Sequence, residues 1–290
     1  MIIAISLIWI TIQGKNITWE ETLRLLLIIL SYFVYLSIFC VIAVLISAIS
    51  KTSKTALTSL IGLWLMFTIV LPRASQALGK AIYSTPSKVK FESDIDEAIV
   101  KVGDSHNADD PYFKSLKDSL LAVYKVDSVK KLPFNYGGFQ MKKGEEISAN
   151  IYKKHQNKLF AIYDQQNSFS KAISFINPFM AIKNLSMALS NTDFASYAAF
   201  QEQAEEYRYH VSQEMNELQI KYIGNSAKSS AGKTNVIDKK HWEDLHDFQY
   251  KPLGIDKVFQ YEIISILAFL FWIGLLFFFI QLLSKNLKAT

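Results

Sequence analysis

Cysteine, proline and glycine are scarce in this sequence. A single cysteine, Cys40, stands among the 290 residues and lies in a hydrophobic run, so disulfides within the chain are excluded. The fold must therefore hold together by packing alone. The six prolines and eleven glycines delimit long periodic segments. Those segments lack convincing period-two alternation, so the sequence predicts helices rather than a sheet.

Signatures of catalysis, nucleotide binding and metal binding are also missing. Gly232–Thr234 looks like the end of a phosphate-binding loop, but Ala227 stands where the motif needs a glycine. His241 and His246 are five residues apart, which does not place both imidazoles on one helical face as a zinc site requires. No Gly-x-Ser-x-Gly elbow is present. The sequence therefore predicts a protein that is not an enzyme, with no catalytic residue, no cofactor and no metal.

Hydrophobic residues make up half of the chain, and 20% of the residues are charged. This balance fits several membrane spans joined to a water-facing domain. Apolar runs at 25–50, 55–72 and 259–284 are long enough to cross about 30 Å of hydrocarbon. Pro72 is expected to end the second span, and Arg73 to mark the membrane surface. No buried charge is predicted within the spans, which argues against an ion path.

The apolar segment at residues 1–12 is too short to cross a bilayer. It is either a loose apolar N-terminus or the back half of a spanning helix whose front half is missing from this chain. We favour the second interpretation, which makes this segment a partial span.

Lysine placement predicts the topology. Lys51 and Lys54 mark one short loop, and Lys285 and Lys288 mark the C-terminal tail, so the positive-inside rule puts both in the cytoplasm. Residues 73–258 then form an extracytoplasmic domain, and 285–290 form a cytoplasmic tail. The net charge of +5 is attributed to such loops, so no nucleic-acid partner is expected.

Turn residues divide the polar block into helices, predicted at 87–102, 111–124, 139–174, 179–189 and 193–222. The two longest are expected to pair as an antiparallel arm, with their acidic residues simply solvated. Oxygens of Asn107 and Asp109 could bind a hard cation, but the glycine and glutamate of a calcium loop are missing. Helix capping is the better account, with Pro111 opening the next helix.

Six short motifs then point to a family. They are Ser50–Ala56, Leu71–Arg73, Tyr83–Pro86, His106–Pro111, Leu132–Gly137 and Leu185–Leu189. In this order they resemble the C-terminal two-thirds of an ABC-2-type transporter permease. The subgroup in question carries a large helical extracytoplasmic domain of unknown function between its last two spans. The resemblance covers nearly everything from about residue 25 onwards.

The resemblance implies a permease subunit in the bacterial inner membrane that moves an unidentified substrate. Its expected partners are a cytoplasmic ABC ATPase subunit, a second permease subunit, membrane lipid and a periplasmic protein that contacts the outside domain. The first two spans of the family are absent, so the chain is expected to be N-terminally truncated or a degenerate subunit. The candidate functional positions are Pro72, Arg73, Asn107, Asp109, Pro111, Asn135, Tyr136 and Gly137.

Two other functions stay open. The chain could be a membrane-anchored interaction or sensor protein that transports nothing. It could also be a membrane-bound enzyme, although the sequence offers no catalytic constellation for one.

Overall fold

A computed structural model describes residues 12, 14, 17–225, 237–241, 243 and 245–286. Over these residues the chain is helical and forms no strand, which confirms the predicted all-α fold class. Within this described part, three helices are long and apolar enough to cross a membrane, namely Trp19–Ile49, Ser53–Ile82 and Ile263–Leu282, and we call them the span helices. Of the predicted partial span at 1–12, all but Ile12 lies outside the described residues, as does Gly232–Thr234.

The helices are numbered here in chain order. They are α1 Trp19–Ile49, α2 Ser53–Leu65, α3 Leu71–Ile82, α4 Lys88–Val102, α5 Pro111–Tyr124, α6 Tyr136–Ala172, α7 Pro178–Leu189, α8 Phe194–Tyr222, α9 Ile255–Tyr261 and α10 Ile263–Asn286. Short 3₁₀ turns occur at Val129–Lys131, Ile173–Phe175 and Lys239–His241. The helices predicted at 87–102 and 111–124 are confirmed as α4 and α5.

The second span does not end at Pro72, and that prediction is wrong. A π-helical turn at Met66–Val70 joins α2 directly to α3, so the helix continues through the proline as far as Ile82. A proline inside a helix lacks an N–H and crowds the preceding turn. The wider π turn absorbs this defect without breaking the helix.

Contacts between residues divide the chain into two compact units. Unit 1 comprises residues 1–84, 163–199 and 252–290, and unit 2 comprises 85–162 and 200–251. Residues 163–199 fall inside the predicted domain of 73–258, yet they group with the span helices. The reason is the apolar helix α7, which packs against α1 and α10.

In unit 2, ion pairs join α6 to α8. The paired atoms are Lys142 Nζ and Glu217 Oε1 at 2.6 Å, Arg208 Nη2 and Glu145 Oε1 at 2.6 Å, and Lys153 Nζ and Glu202 Oε1 at 3.6 Å. Residue numbers rise along α6 as they fall along α8, so these helices run antiparallel as expected. The prediction that their acidic residues are merely solvated is wrong for Glu145, which is 22% exposed in its pair with Arg208, whereas Glu202 stays 66% exposed.

The pKa values of Glu217 and Arg208 shift in the direction that favours the charged form. The hydrogen bond from Lys142 lowers the pKa of the Glu217 carboxyl. Hydrogen bonds to Glu205 and then to Glu145 raise the pKa of the Arg208 guanidinium. The pairs are partly exposed, so each contributes modestly and the set acts mainly to fix the register of α6 on α8.

Asn135 joins the start of α6 to the end of α8. Its side chain accepts a hydrogen bond from the Gly138 N–H at 2.7 Å and donates one to the Gly224 carbonyl at 2.9 Å. Its backbone N–H donates to the Ile220 carbonyl at 3.1 Å. Tyr136 N–H donates to Asn225 Oδ1 at 2.7 Å in the same place. One buried amide thus satisfies unpaired groups at a helix N-terminus and at a helix C-terminus.

We predict that Asn135→Ala destabilises the protein by about 1–3 kcal/mol, because buried backbone groups lose their partners. Asn107→Ala is the matched control, since its amide oxygen is exposed and accepts the Asp109 N–H at 2.9 Å within a local turn. The measurement is the unfolding free energy of the full chain in detergent, followed by far-UV circular dichroism. Equal losses for the two variants would contradict this role of Asn135.

Candidate functional site: a helical hairpin between the span helices

Residues 163–189 form a helical hairpin that packs among the span helices. The hairpin lies wholly in unit 1. The last turns of α6 lead into the 3₁₀ turn, the chain reverses at Asn177–Pro178, and α7 returns. We call residues 174–178 the tip. Buried apolar side chains of α7 fill the space against α1 and α10, and they include Met180, Ala181, Ile182 and Leu185.

Contacts with α10 show the direction of the hairpin. Lys171 contacts Glu262, Ser174 contacts Trp272, and Asn184 contacts Ser265. Along the hairpin, the contacted residue on the α10 side changes from Glu262 to Trp272 and then back to Ser265. The ten residues from Glu262 to Trp272 correspond to about 15 Å at 1.5 Å per residue. A segment that enters and leaves from one end of a span helix is re-entrant. Such segments occur where protein surrounds the backbone.

At the tip, Asn177 completes the hydrogen bonding of the π turn. Its fully buried side-chain Nδ2 donates to the Phe67 carbonyl at 2.8 Å, while its Oδ1 accepts the Phe179 N–H at 3.0 Å and so caps α7. Leu71 N–H bonds to the Met66 carbonyl in the π pattern. In the same π pattern the donor to the Phe67 carbonyl would be the N–H of residue 72. That residue is Pro72, which has no N–H. Asn177 therefore supplies the donor that the proline cannot.

Ser174 lies beside this contact. Its carbonyl accepts the Trp272 Nε1–H at 3.1 Å, and its hydroxyl is buried with no hydrogen-bond partner among the residues that the structure describes. A buried hydroxyl without a partner costs free energy. The tip is thus a polar region within the apolar packing of three helices.

A buried ion pair holds the base of the hairpin. Glu262, which immediately precedes α10, is 1% exposed. Its Oε1 lies 2.8 Å from Lys171 Nζ, and its Oε2 accepts the Ser265 hydroxyl at 2.7 Å. The ammonium also donates to the Tyr261 carbonyl at 2.9 Å. Removing one partner would leave the other charge buried and unpaired, which typically costs about 3–5 kcal/mol.

Arg24 holds the other end of α7. Its guanidinium is buried and donates to the carbonyls of Leu189 at 3.2 Å and Ala188 at 3.4 Å, which lie at the helix C-terminus. It also bonds to the Leu253 carbonyl and forms an ion pair with Glu20 at 2.8 Å. A cation at a helix C-terminus is favourable to the helix dipole as well.

Sequence reasoning missed both buried charges, and the prediction of charge-free spans is wrong at Glu262. Arg24 lies one residue before the predicted first span, and Glu262 lies inside the predicted last span of 259–284. Their partners on the hairpin are remote in sequence, so no local pattern joins them. One signal was present: a lone apolar helix of twelve residues in a polar block is too short to span and is typical of buried or re-entrant segments.

The predicted site residues do not form one constellation. Pro72 is buried at the π turn, and Arg73 next to it is exposed. The other six positions belong to unit 2. Asn107 forms a local turn with Asp109, Asp109 pairs with Lys114 at 2.7 Å, and Pro111 begins α5. The remaining three are Asn135, Tyr136 and Gly137 at the joint of α6 and α8.

No group of three or more possible metal ligands occurs within the described part of the chain. The polar contacts of the hairpin instead connect helices to one another. Asn177 links α7 to the π turn, and Arg24 and the Glu262 ion pair link it to α1 and α10. Along the chain the hairpin is continuous with α6 on one side and is followed by α8 on the other.

Comparison with known protein families gave one match. Residues 88–251, more than half of the chain, match the family described as Domain of unknown function (DUF3526). The chain belongs to the DUF3526 family. The DUF3526 match covers α4 to α8, including the hairpin. Searches of curated proteins and of solved structures gave no significant match.

We predict that the effects of Pro72→Ala and Asn177→Ala are coupled. Asn177→Ala alone should cost about 1–3 kcal/mol, because the Phe67 carbonyl loses its donor. With Pro72→Ala the backbone gains an N–H and the helix can relax to the α pattern, so Asn177→Ala should then cost about 1 kcal/mol less. Unfolding free energies of the four proteins in bicelles measure the difference.

The control cycle combines Asn177→Ala with Pro111→Ala. Pro111 lies at the start of α5 in unit 2, where a missing N–H needs no partner. That pair should be additive. Additivity of the Pro72 cycle as well would show that Asn177 does not compensate for the proline.

Proposed function

We propose that this chain is a membrane-spanning permease subunit of an ABC-2-type transporter. The observation that carries the proposal is the hairpin, which joins the helices of the DUF3526 domain to all three span helices through Asn177, Arg24 and the Glu262 ion pair. A transporter needs its spans to move against one another. A domain that is tied into the spans by buried polar contacts can sense or guide such a movement, whereas a flexibly tethered domain cannot.

In this proposal the orientation of the chain in the membrane is the one predicted from the positions of its lysines. Lys51 and Lys54, between α1 and α2, lie in the cytoplasm of a bacterial cell, and the C-terminal tail lies there too. The DUF3526 domain is then extracytoplasmic, in the periplasm, and Trp19 and Arg24 lie at the outer end of α1. ATP is hydrolysed by a separate cytoplasmic ATPase subunit, and a second permease subunit completes the transport path.

A membrane-anchored interaction protein is the second candidate. The observation that favours it is the extent of the family match, which begins after the second span helix at residue 88 and ends before the third at 251. The family resemblance shown by comparison therefore concerns the polar domain and not the spans. Such a protein would bind an extracytoplasmic partner and have no ATPase.

We predict that an ABC ATPase co-purifies with the C-terminally tagged chain from bacterial membranes after mild chemical cross-linking. The tagged chain is tested alone and together with its upstream genomic sequence, since the resembled family contacts its ATPase through an N-terminal segment. A tagged membrane protein of unrelated fold is the control for nonspecific capture.

Recovery of the ATPase in either form supports the permease. Recovery of extracytoplasmic proteins without an ATPase in both forms would contradict the proposal and favour the anchored interaction protein.

A further inference from the structure

An apolar cavity of about 260 Å³ lies in unit 1, between α1, α7, α9 and α10. Its walls include Leu30, Leu189, Phe259, Leu270 and Ile273. Ser31 is the polar residue of the lining, and its hydroxyl donates to the Leu27 carbonyl of its own helix at 2.7 Å. The cavity therefore presents hydrocarbon and offers a ligand no hydrogen bond.

The position of the cavity matches the acyl region of a bilayer. Its walls on α10 lie within the first eleven residues of the span Ile263–Leu282, about 5–15 Å from the start of that helix. Leu30, Phe259 and Leu270 are 56%, 43% and 60% exposed, so the cavity communicates with the surroundings of the span helices. Within a membrane those surroundings are lipid chains.

The size of the cavity fits a flexible chain rather than a small solute. Closed apolar cavities of about 150 Å³ already accommodate a benzene-sized guest. A larger cavity with one open side can take a segment of hydrocarbon that continues into the bilayer. Filling it restores the dispersion contacts that its lining would otherwise lack.

An exposed lysine adjoins two residues of the cavity wall in the chain. Lys257 immediately precedes Val258 and Phe259, which line the cavity from α9. Its ammonium donates to the neutral amide oxygen of Gln260 at 3.2 Å and has no ion pair in the part of the chain described here. A phosphate at the membrane surface would complement this charge.

We propose that this cavity binds one acyl chain of a membrane phospholipid, with the lipid phosphate near Lys257. The bound chain packs against α7 and completes the apolar wall between α1 and α10. This inference requires that the span helices lie in a membrane, and it does not depend on transport or on an ATPase partner.

The test uses phosphatidylglycerol that carries a photoreactive diazirine in one acyl chain. The full chain is reconstituted into vesicles of unlabelled phospholipid that contain a trace of this probe. After irradiation, peptide mass spectrometry compares the label on the cavity segments of α1 and α10 with the label near Val44 and Ile49. These two exposed residues of α1 report contact with bulk lipid. The expected result is enrichment at the cavity segments.

Leu270→Trp fills the rim of the cavity and should lower the enrichment about tenfold. Phe277→Trp is the matched control, because it adds a similar ring to an exposed site two turns further along α10 and should leave the enrichment unchanged. Leu30→Trp closes the cavity from α1 and provides a second rim variant, which can be measured if Leu270→Trp misfolds. Lys257→Gln should lower the enrichment about fivefold through loss of the phosphate contact.

Equal enrichment in Leu270→Trp, Leu30→Trp and Phe277→Trp would overturn the proposal. So would labelling of the wild-type cavity segments below the bulk reference, which would mean that a protein chain covers them. Unchanged enrichment in Lys257→Gln would overturn the headgroup part of the proposal.

Discussion

Burial of α7 between the span helices depends on polar contacts at its two ends. A twelve-residue helix has unpaired N–H groups at its start and unpaired carbonyls at its end, and in apolar surroundings these groups must find partners. Asn177 caps the start, and the Arg24 guanidinium donates hydrogen bonds to carbonyls of the last turn. Without these contacts, apolar packing of Met180 and its neighbours would have to offset several unpaired backbone groups.

The same contacts tie the hairpin to a defect in the second span helix. Pro72 leaves the Phe67 carbonyl without a backbone donor, and the π turn and Asn177 together accommodate it. π turns recur at functional positions, where a helix can change its pattern at small cost. Here the alternative α pattern would release Asn177. A change of this helix to the α pattern would therefore break the hydrogen bond between Asn177 and the Phe67 carbonyl.

Local signals in the sequence predicted much of the fold. The features that were not predicted depend on contacts between residues that are remote in sequence. Thr18 and Glu21 form a capping box at the start of α1, a motif that local sequence can predict, and Asp110 caps α5 before Pro111. These features depend on neighbours three or four residues away. The expectation that a proline ends a helix was wrong at Pro72, because the distant Asn177 side chain donates the hydrogen bond that the proline cannot. Arg24 and Glu262 were missed since their partners lie on the hairpin, and sequence periodicity carries no information about such pairs.

The most direct test of the account is cross-linking of α7 to α10 in native membranes. Asn184 Nδ2 and Ser265 Oγ lie 3.5 Å apart, so Asn184→Cys with Ser265→Cys in a Cys40→Ser background should be joined by a short thiol-specific reagent. The control replaces Ser265→Cys with Phe277→Cys, about 18 Å further along α10. Efficient cross-linking of the first pair alone is the predicted result. No cross-link in the first pair, with both thiols reactive, would contradict a hairpin packed between the span helices.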